Sequence, residues 1–290
     1  MAQRTIERVF VAGAGFMGHG IAQVCAAAGK SVALYEPELP RVAAGLKRIA
    51  ANLERAVTKG KLAPEDRESV LGRIRPTDRL DDAADADLVL EAVFEDVEVK
   101  TRLWAELDRI APGDAILGTN TSSISIDRLA AVLTPARRTR FVGTHFFSPV
   151  PVMPLVELIR GAATSDATEA IVRDLATDLG KQVIVSRDRP GFIVNRILMP
   201  FLAEAIRTLE EGTGTAEDID TGARVGLNHP MGPLELADFI GLDVCLNVMR
   251  VLREGIGGEQ FEPPRVLVDL VAQGHLGQKS GRGFYTYPRG

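Results

Sequence analysis

The chain is predicted to fold as an α/β protein: a doubly wound parallel sheet in its longer N-terminal part, followed by a second, all-α domain. Three observations predict it. Short β-branched runs alternate with helical patterns through the first part, which is the signature of a parallel sheet covered by helices. A glycine-rich turn joins the first strand to the first helix. After Asp188-Arg189-Pro190-Gly191 the strand pattern stops and helical spacing takes over. The boundary is therefore placed near Arg187–Pro190, giving domains 1–188 and 189–290.

Each element has a local reason. Val9–Ala12 reads as a buried strand ending in Gly13, and Ile21–Ala28 as an Ala-rich helix stopped by Gly29. Ser31–Tyr35 is a second strand, closed by Glu36-Pro37. Leu39–Thr58 is a long amphipathic helix, and Pro64 opens another at a position where its missing N–H costs nothing. Leu88–Val93, Ala115–Gly118 and Phe141–Gly143 read as further buried strands, with the helix Val97–Ile110 between the first two. In the second domain Phe192–Leu209, Ala216–Val225, Pro233–Arg253 and Pro264–Ala272 read as helices.

Composition narrows the function classes. The chain has 290 residues, 46% hydrophobic and 25% charged, enough for large cores, which excludes a disordered or collagen-like chain. A net charge of -5 argues against nucleic acid as a partner. Two cysteines, Cys25 and Cys245, are too few for a disulfide framework or a metal cluster, and suit a reducing cytoplasm. The uncharged stretch Val9–Gly29 behind Arg4 and Arg8 resembles a leader. Five glycines, His19, Gln23 and the lack of leucine argue against both a leader and a membrane span.

Gly13-Ala14-Gly15-Phe16-Met17-Gly18 is a G-x-G-x-x-G that follows a strand and opens a helix, the Rossmann-type context in which the motif binds a dinucleotide. Gly13 permits the turn, Gly15 the approach of a pyrophosphate, and Gly18 the packing of helix on strand. The helix N-terminus offers N–H groups to phosphate. Glu36, at the end of the second strand, is placed to accept the adenosine ribose hydroxyls and to repel a 2′-phosphate. No Arg lies between Glu36 and Arg41, so NAD is expected rather than NADP. A glycine-rich turn without ligand is the competing reading.

Of four histidines, His145 stands out. It follows the strand Phe141–Gly143 at the carboxyl end of the sheet, where ligands bind in this architecture. Removing a proton from a hydroxyl needs a base active near neutral pH, and a carboxylate partner fixes the tautomer of such a base. Glu157, among apolar neighbours and beyond a loop stiffened by Pro149, Pro151 and Pro154, is the candidate partner. The residues alone leave open a core histidine and a strand-edge glutamate. His19 is read as neutral packing near the cofactor, His229 as ordering a turn, and His275 as exposed. Arg48, Arg55 and Lys59 share one helix face, with Lys61 next to it. This face suits nucleotide phosphates, or is a plain solvated face.

Several longer motifs are more specific. Thr119-Asn120-Thr121-Ser122-Ser123, the run from His145 through Phe146-Phe147-Ser148-Pro149 to Met153, and Leu155-Val156-Glu157 resemble the L-3-hydroxyacyl-CoA dehydrogenase family. So do Pro190-Gly191-Phe192-Ile193-Val194-Asn195-Arg196, Asn228-His229-Pro230-Met231-Gly232-Pro233 and the stretch from Gly277 to Tyr285. The resemblance covers essentially the whole chain and is strongest to bacterial 3-hydroxybutyryl-CoA dehydrogenases. It implies His145 as general base with Glu157 as its partner, and Ser122 and Asn195 as ligands of the substrate oxygen, across a domain cleft. It implies Glu95 and Lys100 around the nicotinamide ribose, Ser122 near the nicotinamide, Lys279 as another cofactor contact, and Asn52 and Lys59 against coenzyme A. Ser148 stands where the family usually has Asn. No metal is implied. The partners implied are an acyl-CoA substrate and a second copy of the chain. A homodimer through the helical domain is expected because Phe192–Leu209 and Leu234–Val251 are too apolar for a small bundle alone. A dehydrogenase of a free hydroxy acid such as L-gulonate, and a binding regulator without turnover, are the rival functions. The intact Ser122, His145, Glu157 and Asn195 set argues against the regulator.

Overall fold

A computed structural model describes residues 5–288. Arg4 of the leader-like stretch and the outer ends of both domain assignments lie outside the described residues. The chain divides into two compact units, Met1–Arg189 and Pro190–Gly290.

The first unit follows the order β1 Arg8–Ala12, α1 Gly18–Ala27, β2 Ser31–Tyr35, α2 Leu39–Thr58, α3 Pro64–Gly72, β3 Ile74–Thr77, β4 Leu88–Glu91, α4 Val97–Ile110 and β5 Ile116–Thr119. It continues through α5 Ile126–Ala130, α6 Pro135–Arg138, β6 Phe141–Phe146, β7 Leu155–Arg160, α7 Asp166–Asp178 and β8 Gln182–Arg187. The strands form one sheet in the order β3-β2-β1-β4-β5-β6-β7-β8. The chain reverses its direction of travel across the sheet between β1 and β4, and such a reversal opens a crevice at the carboxyl ends of the strands. Central strands are buried on both faces, which is why they read as continuous apolar runs. Trp104 of α4 packs edge-on against Phe141 with ring centroids 5.0 Å apart, tying a helix to the sheet.

Three departures from the sequence reading have physical reasons. The sheet is parallel except at β6–β7, which pair antiparallel. The strand expected to stop at Gly143 runs on to Phe146, so His145 lies inside β6 rather than after it. Gly143 does not end the strand: a Cβ there would come within 2.8 Å of Ile126 and Ile159, so glycine is needed for close packing. The third concerns β3, which contains Pro76 and escaped notice. Proline is tolerated because β3 is an edge strand.

The second unit is helical: α8 Val194–Glu210, α9 Ala216–Thr221, α10 Pro233–Ile240, α11 Leu242–Ile256 and α12 Arg265–Ala272. The first helix begins later than expected because Gly191 and Phe192 have φ of 72° and 50°. After α9 the backbone widens into a π-turn over Gly222–Gly226. The single helix expected over Pro233–Arg253 is two, broken at Gly241 with φ 105°. Leu202, Ile206, Leu234, Leu242, Met249 and Leu267 form the core.

Two buried aspartates order this unit. Asp220 accepts the N–H groups of Leu234 and Glu235, the first turn of α10, and the Tyr285 hydroxyl. Asp238 accepts the N–H groups of Phe284 and Tyr285 and the Tyr287 hydroxyl. Burial pushes the Asp238 carboxyl above its ordinary pKa although these three donors oppose the shift.

Candidate active site

The glycine loop lies at the carboxyl end of β1. The Gly13 N–H donates to the Tyr35 carbonyl at 2.8 Å, and a Cβ on Gly13 would strike the Ala92 carbonyl oxygen at 2.6 Å. A Cβ on Gly18 would sit 1.7 Å from the Gly13 oxygen. Gly15 differs, because a Cβ there would meet nothing within 4 Å. No side chain caps the first turn of α1, which suits a helix N-terminus that receives phosphate. Glu36 Oε1 accepts the Ala14 N–H at 2.9 Å, which holds the acid beside the loop. Phe16 is exposed and Met17 half-buried. His19 Nδ1–H donates to the Gly15 carbonyl at 2.7 Å. Burial lowers its pKa, the Gly15 bond opposes, and nearby Arg48 lowers it further, which favours a neutral ring. Cradle and acid fit a dinucleotide.

Next to it, at the ends of β4 and β5, lies a charged cluster. Lys100, 1% exposed, places Nζ 2.5 Å from Glu91 and 3.3 Å from Glu95. Glu91 is fully buried and also accepts the Val93 N–H and the Thr119 hydroxyl. Glu95 Oε1 accepts the Thr121 hydroxyl at 2.6 Å and both the N–H and hydroxyl of Ser122, at 2.8 and 3.2 Å. Burial would raise the Glu95 pKa, but Lys100 and these donors together hold it below the ordinary value. Glu91 escaped the sequence reading because it sits at the end of an apolar run and passes for a strand residue. A charge at the carboxyl end of a buried strand was the available signal.

His145 and Glu157 are opposite each other in the antiparallel β6–β7 ladder. Directly opposed residues point to the same face, so the two side chains meet. His145 Nδ1 is 3.1 Å from Glu157 Oε2, with Glu157 fully buried and His145 nearly so. A carboxylate oxygen accepts, so a hydrogen on Nδ1 satisfies this contact and the pair fixes the orientation of the ring. Asn120 Oδ1 accepts the Phe146 N–H at 2.9 Å, linking the loop that bears Ser122 to the strand that bears His145.

The remaining expected residues are spread more widely. Asn52 Nδ2 donates to Gln23 Oε1 on α1, and Arg55 donates to Asn52. Arg48, Arg55, Lys59 and Lys61 are exposed along and just beyond α2. Ser148 is half-buried in the loop after β6. Asn195 and Lys279 belong to the second unit. Asn195 is in the first turn of α8, and Lys279 Nζ lies 2.5 Å from Asp243 Oδ1.

An edge that combines a dinucleotide cradle with an oriented imidazole is equipped to take a proton from a hydroxyl while a nicotinamide takes a hydride. That defines a nicotinamide-dependent dehydrogenase of hydroxyl-bearing substrates. Family comparison makes the class specific. Residues 8–189 match the family described as 3-hydroxyacyl-CoA dehydrogenase, NAD binding domain, and residues 191–287 match its C-terminal domain. The chain belongs to the 3-hydroxyacyl-CoA dehydrogenase family and is an NAD-dependent enzyme. It is 50% identical over 282 residues to a 3-hydroxybutyryl-CoA dehydrogenase of Bradyrhizobium diazoefficiens, covering 97% of this chain and 96% of that one. Among solved structures it resembles FadB2 of M. tuberculosis, with TM-score 0.96 and 47% identity over 98% of this chain and 100% of that one. It also resembles a (S)-3-hydroxybutyryl-CoA dehydrogenase from Ralstonia eutropha, with TM-score 0.94 and 45% identity over the same shares.

Proposed function

We propose that this enzyme reversibly oxidises an L-3-hydroxyacyl-CoA to the 3-ketoacyl-CoA, with 3-hydroxybutyryl-CoA, a short-chain thioester, as its preferred substrate. The observation that carries the reading is the buried His145–Glu157 pair on the sheet edge that also bears the glycine loop. The short-chain preference is supported by the names of relatives about half identical to this chain.

In this reading His145 Nε2 takes the proton of the 3-hydroxyl as the carbon–oxygen bond becomes a carbonyl. Bound NAD supplies the acceptor for the hydride that leaves carbon 3. Glu157 holds the Nδ1–H and balances the positive charge that forms on the ring. Ser122, on turning its hydroxyl from Glu95, and Asn195 are assigned as donors to the substrate oxygen, and such donors are worth about 3 kcal/mol each where charge develops. Glu36, Glu95, Lys100 and Lys279 are assigned to the cofactor. Asn52, Lys59 and the neighbouring Arg48 and Arg55 are assigned to coenzyme A. In the reverse direction the same imidazolium returns its proton to the ketone oxygen.

A homodimer through the second unit belongs to the same proposal. Its support is that Ile197, Val225 and Leu227 are 69%, 80% and 64% exposed on that unit, apolar side chains that a second copy would cover. A cytoplasmic location is supported by two buried free thiols, which burial pushes up to about 12. Among the described residues no helix is long and apolar enough to cross a membrane.

The test is NADH formation from L-3-hydroxybutyryl-CoA, measured beside free L-3-hydroxybutyrate and L-gulonate. Turnover of the thioester far above either free acid is expected. Equal or greater turnover of a free acid overturns the substrate class. Sedimentation at micromolar concentration tests the dimer, and a monomer there counts against it.

A further inference from the structure

The loop of residues 147–154 joins the strands that carry His145 and Glu157, so its shape sets where that pair sits. It is held from outside by a lysine that no motif singled out. Lys181, in the turn between α7 and β8, is 8% exposed. Its Nζ donates to the Val150 carbonyl at 2.6 Å and to the Met153 carbonyl at 2.9 Å. Among the described residues no carboxylate lies within ion-pairing distance of it, and burial alone lowers its pKa. Burying an ammonium against neutral partners is unfavourable, so one that faces two carbonyls of a single loop points to a demand for that loop's geometry. The adjoining backbone adds a third tie, the Gln182 N–H donating to the Pro154 carbonyl at 2.6 Å. The loop also packs on the cofactor helix. A Cβ on Gly20, in the first turn of α1, would come within 2.8 Å of Val150 Cβ and 3.4 Å of Pro151 Cδ.

We propose that Lys181 is a positioning residue for hydride transfer: by holding the Val150 and Met153 carbonyls it fixes the loop between His145 and Glu157 where that loop meets the first turn of the cofactor helix, and so fixes the base relative to the nicotinamide. The proposal rests on the reading of His145 as the base. The Lys181 ammonium is engaged with main-chain carbonyls of the loop, so its effect belongs in the rate of the chemical step rather than in binding.

The test uses the full-length enzyme and compares kcat, KM for L-3-hydroxybutyryl-CoA, NADH affinity by fluorescence titration, and melting temperature. Lys181→Met keeps the length and removes the donors. It should lower kcat about 10- to 100-fold, the usual cost of a misplacement near an ångström, with NADH affinity and KM within about twofold of wild type. Gly20→Ala pushes the same loop from the cofactor helix and should also lower kcat. Because both act through one loop, the double variant should lose less than the product of the two separate losses. A lower melting temperature with kcat unchanged overturns the proposal, since that is what a merely structural lysine would give. Loss of NADH affinity with kcat retained also overturns it. Should Lys181→Met fail to fold, Gly20→Ala decides: lowered kcat supports the proposal and wild-type kcat overturns it. A wild-type enzyme inactive on every hydroxyacyl thioester would instead refute the proposed function, before any variant is compared.

Discussion

The glycine-rich stretches at the two ends of the chain use one residue type for opposite purposes. In Gly13–Gly18 two glycines allow backbone segments to touch, while Gly15 faces open space. In Gly277–Gly283 the space is taken by the protein itself. A Cβ on Gly277 would lie 2.2 Å from the Asp238 carbonyl oxygen, and one on Gly283 would lie 1.9 Å from Asp238 Oδ1. The C-terminal glycines let the chain close over a buried carboxylate, which the backbone N–H groups of Phe284 and Tyr285 then satisfy. Glycine motifs of similar appearance therefore divide into one that keeps a binding edge open and one that seals a helical unit.

Variants at each place sharpen that contrast. The largest effect should come from the open edge. His145→Gln should lower kcat about 100- to 10,000-fold, the usual range for general-base assistance, while NAD binding hardly changes. Full activity in that variant would remove the base assignment. Gly283→Ala should act on the fold. Forcing a methyl group against Asp238 should cost about 1–3 kcal/mol, seen as a lower melting temperature for the second unit. An unchanged melting curve would show that the seal is loose. Gly15→Ala should do the reverse, leaving stability intact and weakening NAD at least about tenfold, or about 1.4 kcal/mol. Unaltered NAD affinity there would mean that the pyrophosphate does not approach Gly15. Glu36 predicts a marked preference for NAD over NADP, because its carboxylate repels a 2′-phosphate. Comparable kcat/KM with both would contradict it.

The smallest effect concerns pH. His19 is held neutral in the folded chain, chiefly by burial, whereas the unfolded chain takes up a proton near its ordinary pKa of about 6.5. The unfolded state then binds more protons, so His19 makes stability fall as pH drops below that value. His19→Asn, which can still donate to the Gly15 carbonyl, should flatten the fall in melting temperature between neutral and mildly acidic pH. Parallel curves for the two proteins would rule out this contribution.

Local physics explains why much of the first unit was legible. Ser31–Tyr35, Leu39–Thr58 and Val97–Ile110 matched their expected bounds because each has its own boundary signal: Glu36-Pro37, a proline in the first helical turn, and Asp96 capping the Val99 N–H. Gly13 and Gly18 were legible too, since steric need is written into the residue. The errors fell where a neighbour decided. Gly143 looked like a strand end until Ile126 and Ile159 explained it. Gly241 looked tolerable inside one helix until its φ of 105° split it in two.

By itself the sequence determined the fold class, the position of the glycine loop, the acid at Glu36 and the identity of His145 and Glu157 as a pair worth testing. The first three follow from periodicity and local sterics, which act over a few residues, while the choice of His145 and Glu157 rested on the family resemblance. Only the tertiary structure decided that the pair is opposed in a ladder, because a strand register between residues twelve apart depends on the loop between them and on what packs behind it. It alone revealed Glu91 and Lys181. A buried charge is recognisable by its partners, and the partners of Lys181 are carbonyls about thirty residues away in the chain, which no local pattern can name.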